Sequence, residues 1–135
     1  MTTYRNGENH LWTEGRPVAA AQTIVRGQAA WLADDNTLVD DAAAAQAAYM
    51  FGVALWDGVA GEMLTVNKFG VTLALAKNSE TIAVGDLITV SATTGLFEVA
   101  ATTELVVGIA RSATTGGSGE LFELEHFPTY RQAVP

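Results

Sequence analysis

The sequence contains no cysteine. That excludes a disulfide framework, a thiolate zinc site and a cysteine nucleophile. Its two histidines, His10 and His126, stand far apart, a poor basis for a zinc site or a hydrolytic triad. Basic residues are scarce: seven Lys and Arg face fifteen Asp and Glu, for a net charge of −8. A duplex-binding surface needs cations to displace counterions from phosphates, so nucleic acid is not an expected partner. The longest apolar stretch, AAAAQAAYMFGVALW, is broken by Gln46 and falls short of the ~20 residues a membrane helix needs. The first residues show no apolar h-region, so no signal peptide and no membrane partner are expected.

The motifs of common chemistries are missing too. TTGGSGE at 114–120 is glycine-rich, but a P-loop needs a Lys after its last Gly and a dinucleotide loop needs a following helix. Here Glu120 would repel phosphate, and LFELEHF alternates as a strand does. The aspartates of DDNTLVDD lack the spacing of a calcium loop. Asp34 and Asp35 read as turn residues, and Asp40 and Asp41 as a helix cap. His126 ends an alternating strand and reads as a surface residue. No catalytic residue, metal or cofactor is expected.

What the chain does have is a repeat. TIVRG at 23–27 recurs as TIAVG at 81–85, an offset of 58. Leu38 matches Leu96, FGVA at 51–54 matches VGIA at 107–110, Gly61 matches Gly117, and EMLTVNKF at 62–69 matches ELFELEHF at 120–127. Within each copy the pattern is mainly β. LITVSATTGLFEV and AAWLADDNTLV place apolar runs around a turn, as hairpins do. EMLTVNKF, ELFELEHF and VTLALAK alternate with one apolar face. Many short strands with frequent turns imply a small β-barrel or sandwich-like domain. The Ala-rich DDAAAAQAAYM predicts a short helix or helical turn over about 41–48.

With 135 residues the chain is long enough for one domain with its own core. The expected organisation is an extended N-terminal arm at 1–17, a β-rich domain at 18–127 with pseudo-repeats at about 18–69 and 76–127, and a tail at 128–135. Residues 18–127 carry four bases against thirteen acids, whereas the arm is neutral. Aromatic and Arg residues concentrate at interfaces, which singles out Tyr4, Arg5, Leu11, Trp12 and Arg16 in the arm, Trp56 in the loop LWDGVAG, and Tyr130 and Arg131 in the tail. Trp56 reads either as a lid on the core or as an interface contact.

TIAVGDLITVSATTG at 81–95 and VVGIARSATTGGSGELFEL at 106–124 resemble the small head-decoration, or capsid-cement, proteins of tailed bacteriophages. FGVALWDGVAGEMLTVNKFGV is similar to a loop-strand element of the lambdoid members. The resemblance implies a compact β-rich protein, made in the host cytoplasm, that stabilises the outer capsid surface by clamping neighbouring major capsid subunits. It implies the major capsid protein and self as partners, as a homo-oligomer with a trimer favoured. Two alternatives are a tail- or fibre-associated β-module and a small ligand- or carbohydrate-binding module in which Trp56 or Trp12 stacks on a sugar.

Overall fold

The structure is a computed structural model and describes residues 8–40, 50–91 and 94–127. The helix expected at 41–48 lies outside them, as do Tyr4, Arg5, Tyr130 and Arg131. The described residues form eleven strands and no helix. They are β1 (Asn9–Pro17), β2 (Thr23–Ile24), β3 (Ala29–Leu32), β4 (Leu38–Val39), β5 (Gly52–Ala54), β6 (Gly58–Val59), β7 (Met63–Leu75), β8 (Leu87–Val90), β9 (Phe97–Val99), β10 (Gly108–Ala110) and β11 (Leu121–His126). The expectation of a mainly β domain holds.

The repeated Thr-Ile-x-x-Gly motif has a physical explanation. Gln28 N–H donates to the Val25 carbonyl, and Asp86 N–H to that of Ala83, each at 3.1 Å. The third residue of each turn is a glycine at positive φ, 84° at Gly27 and 92° at Gly85, as a type II turn requires. The fourth residue braces the turn with its side chain. Val25 N–H donates to Gln28 Oε1 and Ala83 N–H to Asp86 Oδ2. The isoleucines, Ile24 and Ile82, are buried in equivalent places.

The correspondence continues through the hydrogen bonds. Ala29 and Ala30 of β3 pair with Val53 and Gly52 of β5; Leu87 and Ile88 of β8 pair with Ile109 and Gly108 of β10. Ala54 pairs with Val66 of β7, and Ala110 with Leu124 of β11. Each half therefore curls the same way, in the orders β1-β7-β5-β3-β4 and β7-β11-β10-β8-β9. A parallel bridge spans each open side, Val18 to Leu38 and Ala76 to Phe97. The hairpins and loops correct two sequence matches. Leu38 corresponds to Phe97, not Leu96, because the second hairpin turn is one residue longer. Gly61 corresponds to Gly119, not Gly117. Both have positive φ, and each is followed by a Glu whose carbonyl accepts from Val18 or Ala76 N–H.

Two cores follow from this layout. The first contains Val18, Ile24, Ala30, Leu38, Ala54, Leu64 and Val66. Their counterparts Ala76, Ile82, Ile88, Phe97, Ala110, Phe122 and Leu124 all lie in the second, where Phe97 and Phe122 meet edge to face with centroids 6.4 Å apart. The second core also takes in Ala29, Trp31, Met50 and Val53 from the first half, and these residues form the joint between the halves.

Two expectations are corrected. Residues 9–17 are not an extended arm. They form β1, paired with β7 from Asn9–Val71 to Pro17–Met63, which places one edge of their backbone in the sheet. His126 is buried, not a surface residue, because the alternation of β11 turns Phe122, Leu124 and His126 inward. Its Nδ1 lies 3.4 Å from Asn67 Nδ2.

The joint gives a test within one molecule. A Cβ at Gly27 would meet the Leu75 nitrogen and Leu121 Cδ2 at 2.8 Å, whereas one at Gly85 would meet nothing within 4 Å among the described residues. Ala at either positive φ costs roughly 1–2 kcal/mol, and overpacking against backbone adds roughly 1–3 kcal/mol. Chemical denaturation of the two Gly→Ala variants is expected to show Gly27→Ala clearly the more destabilised. Equal losses would contradict the joint.

Candidate interaction surfaces

The glycine-rich loop is already filled. The Glu120 carboxylate accepts from the N–H of Thr115 at 3.0 Å, from the Thr115 hydroxyl at 2.8 Å and from the N–H of Gly117 at 2.7 Å. These donors hold its carboxyl below the ordinary Glu range, the Thr115 N–H contributing most. In the first half Glu62 Oε1 accepts from Val59 N–H in the same manner. The amides that could cradle a phosphate thus serve the loop's own carboxylate. Among the described residues no group of three or more His, Asp or Glu is placed to hold a metal.

Two surfaces carry exposed aromatic side chains. The first lies on β1 and β7. Their register skips Leu11 on one strand and Lys68 on the other, around the pair Trp12–Phe69. Such bulges re-aim side chains. The Lys68 ammonium lies 5.3 Å from the Trp12 ring centre and 3.6 Å from that of Phe51. The Arg16 guanidinium lies 5.5 Å from Phe51 and pairs with Glu14 at 3.1 Å. Each cation is within cation–π range, worth roughly 0.5–1 kcal/mol at an exposed site. Trp12 remains 46% exposed and Met63 66%.

The second surface is the ribbon β2–β6, paired at Thr23–Val59 and Ile24–Gly58. Trp56 precedes β6 and is 49% exposed, and Val59 and Val25 are exposed on the same ribbon. The Arg26 N–H donates to Asp57 Oδ1 at 2.8 Å, tying the two sides together. At 49% exposure Trp56 is no lid on the core.

Of the residues singled out from the sequence, Trp12 and Arg16 come together and Trp56 stands on the other surface. Leu11 lies in β1. Sequence reasoning missed Phe51, Met63 and Lys68. The bulge that brings Lys68 to Trp12 leaves no pattern in either strand alone.

The profile of the XM1 gp53 minor capsid protein family matches residues 4–123. The chain belongs to that family. It is a capsid-associated structural protein of a bacteriophage. No curated protein matches it. Among solved structures it is similar to the crystal structure of the N base of head fiber gp8.5 in bacteriophage phi29, with a TM-score of 0.62 and 19% identity. The match covers 90% of this chain and 99% of that one, and at this identity the likeness is one of fold.

The loop gives a second prediction. A depressed carboxyl pKa supports the loop at neutral pH, and that support is lost as acid protonates Glu120, below the range in which an ordinary Glu titrates. Hydrogen exchange corrected for intrinsic rates is expected to show protected Thr115 and Gly117 amides at neutral pH. Glu120→Gln is expected to expose both amides and leave that of Leu124 unchanged.

Proposed function

We propose that the protein sits on the outer surface of the phage head, where it holds neighbouring major capsid subunits together and performs no catalytic step. The observation that carries this reading is the minor capsid family match over residues 4–123. The ribbon bearing Trp56, Val25 and Val59 is the capsid-facing surface. An exposed Trp among apolar neighbours, with charged groups at its rim, is the composition of a binding hot spot. Tyr4, Arg5, Tyr130 and Arg131, near the chain ends, extend the contact. The acidic body keeps a dense outer layer soluble. Working as a homo-oligomer, a trimer by preference, multiplies individually weak contacts.

A second reading is favoured by the likeness to a head-fiber base. In it the protein is the capsid-bound mount of a larger appendage.

Cosedimentation with purified heads of the source phage tests the proposal. Saturable uptake is expected, and Trp56→Ala is expected to weaken it roughly tenfold or more. Cryo-EM of the virion then separates the readings: a compact layer on the head supports clamping, and density continuing outward supports the mount. Label on the tail, or no uptake by heads, refutes both.

A further inference from the structure

The joint between the two halves is a template for a joint between molecules. One face of the first half, which we term its tail, closes over one end of the second half, its mouth. At this joint Leu75 N–H donates to the Gly27 carbonyl at 2.8 Å, and Ala29 N–H to the Gly95 carbonyl at 3.4 Å. Leu121 of the mouth lies over Gly27 of the tail. Ala29, Met50 and Val53 are buried there against the core containing Ala74 and Val107.

Because the halves are equivalent, each possesses both faces, and one of each is left over. The tail of the second half is open around its turn, although Val106, the counterpart of Met50, is buried. Gly85, the counterpart of Gly27, has open space where its Cβ would be. Leu87, the counterpart of buried Ala29, is 38% exposed, and Val84 beside it 68%. The mouth of the first half is uncovered too. Met63, the counterpart of Leu121, is largely exposed, and Arg16 and Phe51 occupy the places of fully buried Ala74 and Val107. Among the described residues, the exposed large hydrophobic side chains Trp12, Met63, Val84 and Leu87 lie on these two leftover faces.

We propose that the tail of the second half in one copy docks on the mouth of the first half in another copy, with the geometry that joins the halves within the chain. The charges fit this pairing. Asp86 stands on the leftover tail, and Lys68 on the leftover mouth beside the Arg16–Glu14 ion pair, which leaves the mouth one positive charge; inside the chain the counterparts of Asp86 and Arg16 are the neutral Gln28 and Ala74. The contact is heterologous, so every copy uses both faces, and successive copies build a ring where the rotation closes and a filament where it does not. The ribbon carrying Trp56 takes no part in it, and the inference stands apart from capsid attachment.

The test is sedimentation of the full chain. The wild type is expected to form a concentration-dependent oligomer. Leu87→Glu on the tail and Met63→Glu on the mouth, both at exposed positions, are each expected to weaken association roughly a hundredfold and to sediment as monomers. An equimolar mixture of the two is expected to form a dimer and nothing larger, because one intact tail and one intact mouth remain. Val84→Glu and Arg16→Glu give a second pair if either variant misfolds. Trp56→Ala is expected to weaken capsid uptake and keep the oligomer. A wild type that stays monomeric, an oligomer that survives both single variants, or a mixture that stays monomeric overturns the proposal.

Discussion

The molecule depends on one strand serving two half-barrels. β7 runs for 13 residues. Along one edge it pairs with β1 from Met63 to Val71. The other edge is divided, β5 taking Val66 and Asn67 and β11 taking Gly70 to Leu75. These registers take up twelve of its thirteen residues, so the two cores cannot move as separate bodies without breaking its hydrogen bonds. The change of partner falls at Gly70, whose φ of 112° is open to glycine. Beside it the sheet buries Asn67, Thr72 and His126. Buried polar groups cost free energy unless they are paired, and here Asn67 Nδ2 lies 3.4 Å from His126 Nδ1.

Much of this was legible in the sequence because the repeat unit is local. The Thr-Ile-x-x-Gly turns need a glycine at a fixed place, an inward Ile and a side chain that braces the turn. Those requirements surface as similar letters at a constant spacing. The bends in the alignment were less legible. Phe97 and Leu96 are both apolar neighbours, and only the parallel bridge from Ala76 shows which of them takes the place of Leu38. β1 escaped notice for a different reason. Its two register shifts break the period of two, and Glu14 and Arg16 neutralise one another on an open face. A strand built that way reads as a polar arm. His126 was misread because the inward face of β11 ends in a polar residue.

The two halves also act as controls on one another. Positions that point into each half-barrel remain apolar in both copies, from Ile24 and Ile82 to Val66 and Leu124. Positions that differ in character lie where the surroundings differ. Arg16 and Phe51 meet solvent while Ala74 and Val107 meet the other half. This separates the residues that make the fold from those that deal with neighbours. It also accounts for surface chemistry that no catalytic or metal-binding pattern explains.

The division of β7 has a consequence for the chain as it leaves the ribosome. The first half-barrel closes with residues up to Asn67, and the second begins its pairing at Gly70. Synthesis delivers domains from the N-terminus onward, so β1, β3, β4 and β5 find their shared strand before any of β8 to β11 exists. During that interval the distal part of β7, with Leu73, Ala74 and Leu75, offers an apolar and half-paired edge. An unpaired edge of this kind invites association with other chains. Pairing with β11 covers that edge once the second half is made.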